Sequence, residues 1–350
     1  MADRKRKKAA QRATIADVAN MAGVSKTTIS RYLSGQYDSI AENTRRRIDE
    51  AVKALKYRPS RMARGLKQDR SYLIGFVMAD LANPFSTAIL RGVEDVCRKH
   101  GYNLMVCNTD NDPVREKEYI FMLQSHRIEG LIINSTGKNN EFLRELAEYH
   151  TPVVLVDRKV PELEFDMVGT DNIQAMEQAM AFLLDQGYDS IAFFTEPIYQ
   201  VSSRMERLQA FRDITARNAS RASGEVYETD LRSPGQLEEH LDHFLTRVSG
   251  RFRSILAGNG VISLKIINIL QQKGVRIPED VAFIGFDDTE WAPVVASGIT
   301  TVAQLTDDIG VIAMESVLRR INGDQSAARI VQLPAKLIVR NSTPPVSRRA

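Results

Sequence analysis

The sequence predicts an N-terminal all-α helix-turn-helix headpiece followed by an α/β body of two doubly wound parallel-sheet lobes. Two short helical patterns, each with its own cap, lie within a few residues of one another near the N-terminus. From Tyr72 onward, apolar runs of strand length alternate with helical stretches. Charge divides at the same place: residues 1–70 hold 18 Lys/Arg against 7 Asp/Glu, a net +11, which leaves 29 against 37, a net −8, for the rest. At 350 residues the chain can build two or three domains, each burying its own core.

The hydrophobic share of 43% and charged share of 26% are those of an ordinary soluble protein. A basic head on an acidic body points to a polyanionic partner for the head, although the run "MADRKRKKAAQRA" by itself also reads as a solubilising tail. Two cysteines, Cys97 and Cys107, make no disulfide framework, and a reducing cytoplasm is expected. No apolar segment follows the basic N-terminus, and no stretch reaches the roughly 18 apolar residues of a membrane span. No membrane partner is expected.

In "TIADVANMAGVSKTTISRYLSG", Thr14 with Asp17 reads as a capping pair, and Ile15, Val18, Ala19 and Ala22 recur at helical spacing. Gly23 can take the left-handed conformation that ends the first helix near Ala22, and Ser25 caps a second helix almost at once. The short turn between them is that of a helix-turn-helix. On the second helix Ile29 and Leu33 point one way and Thr27 and Arg31 the other, with Lys26 in the first turn. A polar, cationic outward face is what a major groove accepts. A third amphipathic helix follows, with Ile48, Ala51, Val52 and Leu55 inward and Arg45, Arg46 and Arg47 near its start, placed for phosphate.

This stretch resembles the N-terminal signature of the LacI/GalR family of transcriptional regulators, and the similarity continues through "YRPSRMARGLK" to the end of the chain. The resemblance implies that Lys26, Thr27 and Arg31 read bases, with Thr14, Ser25, Ser30, Arg45 and Arg61 completing the DNA-contacting set of the headpiece and hinge. Ala41, where the family often has a capping Ser or Thr, is a departure that predicts a frayed third-helix start. Pro59 stops that helix, and "SRMARGL" is too short, with Gly65 inside it, to be a stable helix alone. By resemblance, the segment carrying Ala63 and Leu66 folds on DNA, where Leu66 wedges into the minor groove.

The apolar runs "YLIGFVMA", "YNLMVCN", "EGLIIN", "PVVLVD", "SIAFFT", "SILAG" and "VAFIGF" read as buried parallel strands joined by helices. Two such sheets in tandem leave a cleft lined by loops at the carboxyl ends of the strands. The resemblance implies a body like periplasmic sugar-binding proteins, with three crossings near 170, 303 and 332. The expected organisation is a basic tail (1–13), a helix-turn-helix domain (14–58), a hinge (59–70), an effector-binding and dimerisation domain (71–343) and a tail (344–350). Its N-lobe comprises 72–170 and 304–332, and its C-lobe 171–303 and 333–343.

Asp157, Asn259 and Asp287 stand at strand ends, and the resemblance implies that they bind effector hydroxyls together with Gln304, while Arg207 grips the ligand. Asn83 and Phe85, beyond the first strand, join the expected effector set. Gly260 is a second departure, since an Asp commonly follows this Asn. Arg158 and Lys159 in "VDRKV" and Arg204 in "SSRMER" bring extra cations to the cleft, and guanidinium groups recognise carboxylates in a bidentate way. "FFTEPI" followed by "SSRMERLQAF" is similar to the branch of the family that responds to sugar acids such as ketogluconate. The expectation is a homodimeric repressor of pseudo-palindromic double-stranded operator DNA, released by a ketogluconate- or gluconate-type inducer. A co-repressor sign is the alternative. No heptad extension follows "TPPVSRRA", so a dimer is expected rather than a tethered tetramer.

Other classes are poorly supported. "GNGVIS" has two glycines without a third, no P-loop is present, and no Ser or Cys has a recognisable base partner, so neither catalysis nor a cofactor is expected. His240 and His243 share a helix face beside Glu238 and Glu239, which reads as a solvated helix rather than a metal site. A secreted sugar-binding protein would fit the body but not the head. If the basic run touches phosphate, deleting residues 4–8 should flatten the salt dependence of DNA affinity by roughly one log unit of slope for each phosphate no longer neutralised. An unchanged slope in filter binding would make the run a solvated tail.

Overall fold

The computed structural model describes residues 13–57, 70–146, 151–160, 164–247, 252–296 and 298–346. The chain divides into two compact units, residues 1–71 and 72–350. The hinge positions Arg61, Ala63 and Leu66 lie outside the described residues.

The first unit packs three helices, α1 (Ile15–Ala22), α2 (Lys26–Leu33) and α3 (Glu42–Ala54). Thr14 and Asp17 form a full capping box: the Thr14 hydroxyl accepts from the Asp17 amide, and the Asp17 carboxylate accepts from the Thr14 amide at 2.7 Å. Gly23, at φ 63°, closes α1 in the left-handed region, and the Ser25 hydroxyl accepts from the Thr28 amide to open α2. Ala41 gives α3 no side-chain cap. Val18, Ala22, Ile29, Ile48 and Ala51 fill the space between the helices. So small a core leaves much of the headpiece's stability to its caps.

The second unit holds two six-stranded sheets. One runs in the order β11-β5-β4-β3-β1-β2 and the other β12-β10-β9-β8-β6-β7. In chain order the strands are β1 (Leu73–Met78), β2 (Asn103–Asn108), β3 (Gly130–Ile133), β4 (Val153–Val156), β5 (Asp166–Thr170), β6 (Ser190–Thr195), β7 (Ser223–Glu228), β8 (Arg253–Ala257), β9 (Ala282–Phe286), β10 (Thr300–Ala303), β11 (Ile330–Leu333) and β12 (Lys336–Ile338). All neighbours are parallel except β10 and β12. The two sheets therefore repeat one topology. β3, β4, β6 and β9 are buried along their whole length because helices cover both faces, so they read as unbroken apolar runs.

The covering helices are α4 (Pro84–His100), α5 (Pro113–Ser125), α6 (Asn140–Leu146), α7 (Asn172–Gln186), α8 (Ser202–Arg217), α9 (Gln236–Arg247), α10 (Gly260–Gln272) and α11 (Thr306–Ile321). The chain passes between sheets after β5, after β10 and after β11. Cys97 and Cys107 are both free and buried, and burial pushes the Cys97 thiol up to about 12.

α4 and α11 approach closely because each presents a glycine at the crossing. A Cβ on Gly310 would lie 2.1 Å from the Ile89 carbonyl oxygen, and one on Gly92 2.2 Å from that of Asp307. Neither backbone can give way without opening the core that both helices share around Ile89, Ile309 and Met314. Gly310→Ala should therefore destabilise the body by about 1–3 kcal/mol, the usual cost of overpacking, despite the better helix propensity of alanine. Urea unfolding followed by circular dichroism measures this, and a neutral or stabilising result would contradict the close approach.

Candidate functional site

In the headpiece, burying Ile29 turns Lys26, Thr27 and Arg31 of α2 to solvent, with Ser30 partly covered. The side chains of Thr14 and Ser25 are occupied in the caps, so these two residues shape the helices directly. The three arginines of α3 divide their tasks. Arg45 donates through Nε to the Ile40 carbonyl at 3.0 Å and lies over the Tyr37 ring, and Arg46 reaches Asn43. Arg47 folds back onto the carbonyls of Ala22 and Gly23 at the end of α1. The expectation that all three meet phosphate is thus corrected for Arg47, which braces the turn between α1 and α2.

The cleft of the body is built on a corner that occurs twice. Asp157 follows β4 and Asp287 follows β9, the equivalent strands of the two sheets. Both take positive φ, 65° and 72°, and both amides donate across to the next strand, to Val168 and Val302 at 2.9 and 3.0 Å. Asp tolerates this left-handed conformation better than most residues. Each corner turns the chain at a strand end and buries a carboxylate where the two sheets face one another. The Asp287 carboxylate accepts from the Gly260 amide at 2.9 Å and from Gln304 Nε2 at 2.6 Å, and that of Asp157 from Asn134 Nδ2 at 3.4 Å. Burial pushes the Asp287 pKa up, opposed by Arg207, the Gly260 amide and Gln304.

Arg207, on α8, is 5% exposed and stands among these groups. Its Nε donates to Asn172 Oδ1 at 2.8 Å, Nη1 to the Gly258 carbonyl at 2.6 Å and Nη2 to Gln304 Oε1 at 3.4 Å. The guanidinium lies 4.1 Å from the centre of the Phe286 ring, a cation–π contact made stronger by burial. Burial pulls its pKa below the ordinary arginine range, while Asp157 and Asp287 draw it back up. Gln304 also accepts from the Thr170 hydroxyl at 2.6 Å, so it joins both sheets to Arg207.

The other cations differ. Arg204 donates to Glu196 at 2.9 Å and to the Pro197 carbonyl, and Glu196 also accepts from Asn259 Nδ2. Asn259 caps α10 as well, accepting from the Ile262 amide. Arg158, 8% exposed, donates to the Ser135 carbonyl at 2.7 Å, while its buried Nε makes no hydrogen bond and lies 3.5 Å from Asp157. Arg158, Arg204 and Arg207 are thus set against Asp157, Glu196 and Asp287.

Sequence reasoning placed Asp157, Arg158, Arg204, Arg207, Asn259, Asp287 and Gln304 in this cluster or on its edge. Asn83 caps α4 through the Phe85 amide, and Phe85 packs into the N-lobe core, so this pair serves the helix start. Glu196, Asn172 and Ser135 were missed. Glu196 and Ser135 lie just past "SIAFFT" and "EGLIIN", and the same strand-end rule finds both. The histidines stay on a largely solvated helix face: His240, partly covered, bonds the Thr229 hydroxyl at 2.8 Å, and His243, exposed like Glu238 and Glu239, bonds that of Tyr227 at 2.9 Å. Among the described residues no group of metal-ligating side chains is assembled, and no helix is long and apolar enough to cross a membrane.

A helix-turn-helix with a cationic outward face, carried on one chain with a two-lobed sheet fold and a polar cleft, defines a ligand-sensing, DNA-binding regulator. Residues 14–60 match the family described as bacterial regulatory proteins, lacI family, and residues 71–341 the periplasmic binding proteins and sugar binding domain of the LacI family. The chain belongs to the LacI family and is a helix-turn-helix transcriptional regulator. It is 45% identical to the regulator KdgR of Bacillus subtilis, covering 96% of this chain and 99% of that one. To the regulator PtxS of Pseudomonas putida it is 44% identical, covering 96% and 97%. Its fold is similar to that of a lac repressor dimer bound to operator and the anti-inducer ONPF, with a TM-score of 0.82 at 23% identity over 95% of this chain and all of that one.

Replacing Gln304 by Leu tests the buried network. Gln304→Leu leaves Asp287, Thr170 and Arg207 each short of a partner, at a cost of about 1–3 kcal/mol. An aspartate whose folded pKa is raised binds more protons folded than unfolded, so its contribution falls as pH rises from the ordinary aspartate value to the folded one. Losing the Gln304 donor raises that folded pKa further. The deficit in urea midpoint should therefore be larger at neutral than at mildly acidic pH, and a pH-independent deficit would place Asp287 outside the network.

Proposed function

We propose that the chain is an effector-controlled repressor, a homodimer on a pseudo-palindromic double-stranded operator, and that its effector is a hexonic or keto acid which weakens operator binding. Arg31, with Lys26 and Thr27, reads base edges in the major groove, while Arg45 and Arg46 approach phosphate. The effector lies in the cleft between the two aspartate corners. Asp157, Asn259 and Asp287 receive its hydroxyls and Arg207 holds it in place.

The observation that carries the sugar-acid reading is the gathering of three guanidinium groups, Arg158, Arg204 and Arg207, around Asp157 and Asp287, with Arg158 Nε making no hydrogen bond and only an ion pair with Asp157 at 3.5 Å. Guanidinium groups recognise carboxylates in a bidentate way, and a ligand carboxylate would add an anion to this cluster. Arg204 is less suited to this task because Glu196 already holds it. In this reading the effector biases the relative rotation of the lobes, and the hinge peptides lose their pairing in the minor groove. Action on transcription gives the protein a cytoplasmic setting and needs neither catalysis nor a cofactor.

Titration calorimetry with 2-ketogluconate, gluconate and neutral hexoses, together with footprinting on genomic fragments, tests this. Only the acids should bind, and bound acid should release operator. Arg158→Met should weaken acid binding by roughly ten- to a hundredfold, as losing a charged hydrogen bond does. Arg31→Ala should lose operator discrimination with ligand affinity intact, and Arg207→Ala should do the reverse. Binding of neutral hexoses alone removes the sugar-acid reading, and failure of both variants in both assays removes the division into two sites.

A further inference from the structure

Lys159 is the next residue after Arg158, and the two point into different lobes. Arg158 is tied to the N-lobe loop at Ser135. Lys159 reaches α8 of the C-lobe twice, one helical turn apart: its amide donates to the Ser202 hydroxyl at 2.7 Å, and its ammonium lies 2.6 Å from Glu206 Oε1. The other oxygen of Glu206 accepts from Asn172 Nδ2 at 2.8 Å. Asn172 is 1% exposed and sits just past the first crossing between lobes, and its side-chain Oδ1 accepts from Arg207 Nε. A single carboxylate therefore touches the opposite lobe on one side and the support of the ligand-gripping arginine on the other.

We propose that Lys159 and Glu206 form an interlobe latch and that Glu206 is a positioning residue, tying the closure of the cleft to the orientation of Arg207. Two features of the structure support this. The pair is half-buried, with side-chain exposures of 30% and 19%, so it is shielded from salt better than a surface pair. Beside it the lobes meet backbone to backbone: a Cβ on Gly137 of the N-lobe loop would lie 2.2 Å from the Gln200 carbonyl oxygen just before α8. That contact requires a glycine, at φ 79°, and exists only while the lobes are close. Opening the cleft breaks the Lys159 contacts and frees Glu206 to pull on Asn172. Arg207, bonded to both Asn172 and Gln304, is then read by the crossings themselves.

Interlobe distances measured by pulsed electron paramagnetic resonance test the latch without reference to any effector. Spin labels go on the full-length chain at exposed positions of α5 and α9, through Glu118→Cys and Glu239→Cys. Lys159→Met and Glu206→Gln should each broaden the distance distribution toward longer values, and Lys159→Arg should keep it narrow. Glu206→Gln retains an acceptor for Asn172, so unfolding temperatures should stay close to the parent's. The latch is overturned if either neutralising variant leaves the distribution unchanged, or if Lys159→Arg opens the lobes as far as Lys159→Met. With the effector placed between the two aspartate corners, one from each lobe, closed lobes favour its binding, and the two neutralising variants should also weaken 2-ketogluconate binding by roughly two- to fivefold. That last measurement rests on the sugar-acid reading: open lobes in the variants with no ketogluconate binding by the parent would leave the latch standing and sink the ligand assignment.

Discussion

A guanidinium stripped of water governs the body of this regulator. Moving Arg207 from solvent to 5% exposure costs several kcal/mol unless its donors and its charge are answered, and every answer comes from a different part of the fold. Asn172 stands past the first crossing, Gly258 follows β8, Gln304 stands on the second crossing, and Phe286 closes β9. These elements must hold their relative positions for Arg207 to stay satisfied. The same demand makes the cleft responsive, because a displacement at either crossing disturbs the group that a ligand would meet.

The headpiece is held together by other means. Its core is a few small aliphatic side chains, and the turn between α1 and α2 depends on a capping box, a left-handed glycine and the Arg47 side chain laid over the α1 carbonyls. Burial there orients Ile29 inward, and this alone turns the polar side chains of α2 outward. Reading DNA requires an exposed, correctly spaced set of side chains, whereas sensing a small molecule requires an enclosed one. The chain meets the two needs with a capped three-helix unit and a doubly wound pair of sheets.

Much of this architecture was legible in the residues, because caps and buried parallel strands leave local marks. Thr14, Asp17, Gly23 and Ser25 state the headpiece helices in order, and "VVLVD" and "VAFIGF" state both aspartate corners. Strands with little apolar content were invisible. β7, "SGEVYE", is partly exposed, and β5, "DMVGT", buries an aspartate that is answered by Arg319, Arg320 and the Arg329 amide far along the chain. Missing β5 also hid Asn172, since its role follows from the strand before it. The inward fold of Arg47 was likewise hidden, because a basic cluster at a helix start shows its charge but not which carbonyl each member meets. The hinge peptide stands as a reading of sequence and resemblance.

The repeated corner after β4 and β9 has a consequence for how such a receptor diversifies. Each half of the polar cluster comes from its own sheet, with its own positive-φ aspartate and its own hydrogen bond to the neighbouring strand. One half can be remodelled by altering the residues that flank its corner, as Arg158 and Lys159 flank Asp157, while the other keeps its own geometry. New chemical tastes are then acquired by revising half a mouth at a time.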